Sequence, residues 1–141
     1  MIEQEQRTAV VAAARKWLLT PYHHKGRVMG AGVDCATLII EAYAAAGVIK
    51  NIFPDYSAEW HLHKSEELYL QHVESYAKQV DEPDIADLIV WRWGRTFSHG
   101  AIYIGNGEVI HSYIGIGCVI ASMRDNIFEG RPKKCFTVWG K

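Results

Sequence analysis

In the stretch GVDCATLII, Gly32 to Ile40, a cysteine stands at the threshold of an apolar helix, directly after an aspartate. Two readings of Cys35 are open. A free cysteine commonly fills core space as a small hydrophobe. A cysteine in the first turn of a helix also faces backbone amides and the positive end of the dipole, and both favour the thiolate. The thiolate is the nucleophilic form, so this position prepares Cys35 for covalent chemistry. Such chemistry also requires a base within reach and a third group that fixes the orientation of the base. Of seven histidines, His99 and His111 fall in segments patterned as strands, where a ring is held rigidly. Cys118 and Cys135 also lie in strand patterns and are read as core thiols.

His99 opens one strand and His111 comes late in the next, so antiparallel pairing brings them to the same end of a hairpin. Register then decides whether the rings meet. A two-residue turn at Asn106-Gly107 would pair Ile104 with Val109 and Ile102 with His111, leaving the two histidines on opposite faces. A bulge, or a longer loop through Gly105 and Gly107, is needed to restore a common face.

The elements that must hold these residues follow from hydrophobic periodicity. Val10, Ala14, Trp17 and Leu18 fall at helical spacing ahead of Pro21. TPYHHKGRVMGAGV, rich in glycine and basic groups, is a loop, and Asp34 is placed as an N-cap with its carboxylate in reach of the Thr37 amide. Cys35, Leu38, Ile39, Ala42, Tyr43 and Ala46 then make one apolar face, closed by Gly47. A second helical stripe carries Tyr69, Val73, Tyr76 and Val80. Beyond DEPD the segments DLIVWRW, SHGAIYIG, EVIHSYI, GCVIASM and CFTVWG read as strands between polar turns. Helices first and an antiparallel sheet afterwards define an α+β domain.

Bulk composition narrows the function further. The 141 residues, 49% of them apolar, suffice for a single domain with its own core. A formal net charge of −1 offers no basic field, so a nucleic-acid partner is not expected. Three widely spaced cysteines without a CxxC pair fit neither a disulfide framework nor a structural zinc site. Arg15 and Lys16 interrupt the first apolar run, so neither a signal peptide nor a membrane span is expected. His61, His63 and His72 raise the question of a metal, but His61 and His63 are two apart on a helical pattern and do not share a face. A solvated face is the favoured reading, and no metal or cofactor is expected. His23 and His24, with Lys25 and Arg27, fit either a site for a substrate carboxylate or a plain surface loop. Trp60, Trp91 and Trp93 suit core or cleft-wall positions.

GVDCATLIIEAYAAAGV, ADLIVWRW and SHGAIYIGNGEVIHSY, in that order, resemble the NlpC-type cysteine peptidases, which cut bacterial cell-wall stem peptides on a papain-like fold. The resemblance runs from Thr20 to about Tyr113. It implies Cys35 as nucleophile, His99 as general base and His111 as the residue that orients His99. Tyr22 matches the tyrosine that lines the site, and Tyr22, Asp34 and Ser98 are the residues expected to contact substrate. The implied reaction is hydrolysis of the peptide bond beyond a D-glutamyl residue, with amides at the helix start holding the oxyanion. An acyltransferase, thioesterase or amidase would use the same site, and a tail-assembly domain could keep the scaffold with its site silent.

Within that family TPYHHKGRVMGAGVDC looks most like the branch encoded with phage tail genes. That likeness implies tail-tip proteins as partners, synthesis in the bacterial cytoplasm, and action in the cell envelope from a virion tail. The family usually follows its Asp-Cys with serine and glycine, where this chain has Ala36 and Thr37. Thr37 is therefore expected to narrow the pocket or alter what fits. Residues 51–80 match no motif and are expected to be a helical insertion that covers one side of the sheet.

Overall fold

The N-terminal apolar spacing forms α1, Glu3–Arg15, in a computed structural model that describes residues 2–49 and 68–140. Val10 and Ala14 face inward, and Trp17 follows them in the turn after the helix. Arg7 lies on the same stripe and is also buried, which a guanidinium tolerates only when its donors are satisfied. It donates to Glu3 Oε2, the Ile85 carbonyl, Asp87 Oδ1 and Thr137 Oγ1, and its guanidinium stacks on Trp139.

The loop after α1 contains a two-stranded ribbon, β1 (Arg27–Val28) and β2 (Gly32–Val33), and leads into α2, Cys35–Ala45. Helix α2 ends as its sequence requires: Ala46 caps it, and Gly47 takes the left-handed φ of 73°. A short helix α3, Leu68–Glu74, precedes six strands. These are β3 (Lys78–Val80), β4 (Leu88–Trp93), β5 (Thr96–Gly105), β6 (Glu108–Tyr113), β7 (Gly117–Ser122) and β8 (Lys133–Thr137). They form one antiparallel sheet in the order β3-β8-β4-β5-β6-β7. The α+β architecture expected from the sequence is the one observed.

The sheet is buried on both faces. On one face Val90, Ile102, Ile110 and Phe136 meet Val10, Ala14, Leu38, Ala42 and Tyr43 from the two long helices. On the other face Ile89, Trp91, Ala101, Val109 and Cys135 are roofed by Phe128, from the connection between β7 and β8. Cys118 and Cys135 are both buried, one in each layer.

The stripe Tyr69, Val73, Tyr76 and Val80 does not make one helix. Helix α3 stops at Glu74, and Lys78–Val80 instead pairs with β8, placing Val80 opposite Cys135. The edge of β8 offers backbone partners that helical spacing alone does not reveal. Leu70, Val73 and Ala77 join the core on the helix-covered face. The rest of the expected cover, with Trp60, His61 and His63, lies outside the described residues, as does the side chain of His72.

Candidate active site

Asp34 builds the start of α2. Its backbone is extended, and its Oδ1 accepts from the amides of Ala36 (2.9 Å) and Thr37 (2.8 Å). Thr37 completes a capping box, its hydroxyl accepting from the Asp34 amide at 2.9 Å. The second carboxylate oxygen accepts from the Lys25 amide at 2.7 Å and lies 3.8 Å from His24 Nδ1. With Asp34 only 2% exposed and both oxygens engaged, its carboxylate is a fastener rather than a substrate contact. Thr37 is equally buried and holds the cap from inside, so it does not narrow the pocket. The same bonds commit the Ala36 and Thr37 amides, which removes them as oxyanion donors.

Two further contacts hold the chain entering α2. The Ser112 hydroxyl, fully buried on β6, donates to the Val33 carbonyl at 2.8 Å. Tyr22 bridges to Val33 in parallel fashion and is half-buried beside Cys35 and Asp34. Burial pushes the Tyr22 hydroxyl well above its ordinary value, and the negative charges of Cys35 and Asp34 push it further. Tyr22 therefore stays protonated and can act as a hydrogen-bond donor at the site. Thr20 ties the same loop to the sheet: its carbonyl accepts from Cys118 N (2.9 Å), and its hydroxyl accepts from Gly30 N (3.0 Å). A Cβ at Gly117 would lie 2.7 Å from the Thr20 carbonyl oxygen, so only glycine permits this approach.

The histidines come together through two register shifts. Trp91 pairs with His99 but Arg92 pairs with Phe97, which leaves Ser98 as the extra residue on β5. Tyr103 pairs with Val109 but Gly105 pairs with Glu108, so Ile104 is extra at the hairpin end. The second shift is the bulge the sequence required: Ile102 faces Ile110 rather than His111, and both rings take one face. His99 Nε2 lies 2.8 Å from His111 Nδ1. At the first shift Cys35 Sγ approaches the Ser98 carbonyl at 3.9 Å, one residue from His99. Ser98 thus meets the thiol with its backbone, while its hydroxyl donates to the Thr96 carbonyl.

The His99 ring sits among aromatic groups. Its centroid is 4.7 Å from that of Trp93 and 5.6 Å from that of Tyr113, which stands edge-on. Phe128 lies at 6.3 Å. Arg131 holds Trp93 in turn, its guanidinium 3.8 Å from the indole and bonded to the carbonyls of Ile127 and Arg92. Burial keeps His99 well below the usual histidine range, and the charges of His111 and Arg131 act in the same direction. Burial also lowers His111 to about 4, against a smaller opposing effect of Asp125. A neutral His111 with its proton on Nε2 accepts at Nδ1 from the His99 Nε2–H. His99 Nδ1 is then the nitrogen left to take a proton.

Three of the residues that shape this site escaped sequence reading, Ser112, Phe128 and Arg131, while Trp93 is among those read as core or cleft wall. Ser112 and Trp93 lie inside recognised strand segments, and the alternation that places His111 and Trp91 places them too. Phe128 and Arg131 lie in an irregular connection and carry no comparable signal. Among the described residues no three His, Cys, Asp or Glu side chains converge as metal ligands, and no helix is long and apolar enough to cross a membrane.

The fold and site define an α+β domain that brings a helix-start cysteine to the strand carrying one of two hydrogen-bonded histidines. The NlpC/P60 family profile matches residues 19–135, and the chain belongs to that family. Solved structures agree in fold. The NlpC/P60 domain of the peptidoglycan hydrolase SagA is 21% identical, with a TM-score of 0.60, over 91% of this chain and 96% of its own. The peptidoglycan hydrolase RipB of Mycobacterium tuberculosis is 21% identical, with a TM-score of 0.63, over 96% of this chain and 65% of its own. RipD of the same organism, described as a non-catalytic NlpC/P60 domain protein adapted to peptidoglycan binding, is 21% identical. It matches with a TM-score of 0.61 over 96% of this chain and 98% of its own. A comparison with curated proteins gave no match.

Proposed function

We propose that the protein is a cysteine endopeptidase that cleaves peptidoglycan stem peptides beyond a D-glutamyl residue. The observation that supports this reading is that Cys35, at a capped helix start, meets Ser98 one residue along β5 from His99, whose Nε2 lies 2.8 Å from His111 Nδ1. His99 Nδ1 takes the proton of Cys35, and the thiolate adds to the scissile carbonyl carbon. The resulting oxyanion faces the Cys35 amide. Collapse expels the amine, which leaves with the proton held by His99. Water, deprotonated by His99, then hydrolyses the thioester and restores the thiol. Tyr22 donates to substrate near the nucleophile.

The branch with which TPYHHKGRVMGAGVDC is most similar supports a role in a phage tail. In this reading the protein is made in the bacterial cytoplasm, joins tail-tip proteins and acts on the envelope from the particle.

RipD gives a second reading its footing, since a domain of this fold is described there as non-catalytic. Digestion of purified muropeptides with mass analysis of the products separates the two. New termini at one stem-peptide bond, absent with Cys35→Ala, support hydrolysis. An intact substrate that co-sediments with the protein supports binding alone. Transfer of the acyl group to an added amine would reassign the site to an acyltransferase.

A further inference from the structure

Cations gather at the sheet end where β5 meets Cys35. Arg92, Arg95, Lys133 and Lys134 lie at the end of β4, the β4–β5 turn and the start of β8, in a chain of net charge −1. None of the four makes an ion pair among the described residues. Strand alternation sorts them into two sets. Lys134 pairs with Val90 and shares its helix-covered face, and Arg92 follows on that face opposite Phe97. Lys133 pairs with Trp91 and belongs to the other face.

Lys134 is half-buried, its Nζ 4.9 Å from the centroid of the Phe97 ring. Phe97 adjoins Ser98, whose carbonyl lies 3.9 Å from Cys35 Sγ. Among the described residues Lys134 thus has no counter-charge, and Phe97 links it to the strand residue that Cys35 touches. The floor under Lys134 is partly apolar, where charge attraction is less screened than in open water. The Arg92 guanidinium adds a planar fork suited to two oxygens. The other basic candidate, the loop at His23–Arg27, is occupied: the Lys25 amide and the His24 ring face Asp34, and Arg27 lies 3.7 Å from Glu41.

We propose that Lys134 and Arg92, from β8 and β4 on the same face as Phe97, form a carboxylate-binding subsite that selects stem peptides carrying a free carboxylate beside the scissile bond over their amidated forms. The proposal rests on the stem-peptide reading above and names the substrate within it.

The test has a kinetic arm and a binding arm, both on the full chain. With wild type, a free-carboxylate muropeptide should be cleaved with a KM about tenfold below that of its carboxamide. Lys134→Gln should erase that difference by raising the KM of the free acid alone, with kcat unchanged. Lys133→Gln, on the opposite face of the same strand, should leave it in place. In the binding arm Cys35→Ser prevents turnover, and calorimetry compares a stem tetrapeptide with its carboxamide. A tenfold preference for the acid, lost with Lys134→Gln, is the expected result. Equal affinity for acid and amide, or equal effects of the two lysine substitutions, would overturn the subsite. Cleavage without preference removes the subsite and leaves the hydrolase reading intact. Preference without cleavage does the reverse.

Discussion

Ser112 Oγ donates to the carbonyl of Val33 at 2.8 Å, joining the strand that carries His111 to the residue before Asp34 and Cys35. The bond spans 79 residues of sequence and links the two halves of the site. Ser112→Ala leaves the Val33 carbonyl with the His23 amide alone, at a cost of about 0.5–1.5 kcal/mol. The expected outcome is a folded protein with a lower melting temperature and about tenfold lower kcat/KM, as the nucleophile drifts from its base. Thermal melts and muropeptide kinetics on the same preparation check this. Loss of stability with full activity would confine Ser112 to packing.

His111 presents Nδ1 to His99, and the amide oxygen of asparagine reaches nearly the same point on a shorter side chain. His111→Asn should therefore retain activity within about tenfold of wild type, His111→Gln less, and His111→Ala should lose about a hundredfold or more. Steady-state rates of the three variants give the order. Equal rates for Ala and Asn would show that His99 needs no orienting partner.

Histidine burial gives stability a definite pH dependence. In the unfolded chain a histidine titrates near 6.5, whereas folded His111 holds off protonation until about 4. Between those values the unfolded state binds a proton that the folded state lacks. Stability is therefore full above about pH 6.5 and falls as the pH drops toward 4, by up to about 1.4 kcal/mol per pH unit for each such histidine. Urea midpoints from pH 7 to 4.5 should show the decline, and His111→Asn should flatten it by one proton. An unchanged slope in that variant would mean that His111 is charged in the folded protein.

The chain carries its own controls for the thiol. Burial pushes Cys118 up to about 12 and raises Cys135 as well, while Cys35 is half-buried at a helix start. Limiting iodoacetamide at mildly acidic pH should label Cys35 far ahead of the other two, with activity falling in step. His99→Ala should slow both. Peptide mapping after partial alkylation measures this, and similar rates at all three cysteines would return Cys35 to the core.

Asp34 should matter for architecture before chemistry. Asp34→Ala removes the acceptor of three amides, those of Lys25, Ala36 and Thr37, and should cost about 2 kcal/mol or more. Asp34→Asn keeps one carbonyl oxygen for the cap and should lose about half as much. Denaturant unfolding of the pair tests this, and equal losses would assign the effect to charge rather than to hydrogen bonding.

The parts of this structure legible in the sequence are those set by near neighbours. The Asp34 cap lies within four residues of every group it serves in α2, and the strands announce themselves by alternation. The histidine hairpin was legible as a condition: the spacing showed that a bulge was needed, and the shift at Ile104 supplies it. The other shift, at Ser98, left no mark, because it is set by the pairing of β5 with β4 rather than by the sequence around Ser98. β3 was hidden for a related reason. Lys78 meets Thr137, and a three-residue edge strand has too little pattern to outweigh a helical spacing. Thr37 misled because its meaning came from the residue it replaces, whereas the capping box determines where its side chain goes.

The contacts of α1 with the last strand bear on how the domain is carried. Gln6 Oε1 accepts from Trp139 Nε1 at 2.9 Å, and Arg7 reaches Thr137 beside it. Helix α1 and the chain at the end of β8 thus close on a single seam, and Cys35, His99 and His111 lie on neither side of it. A strain applied across that seam is borne by these bonds before it reaches the cleft.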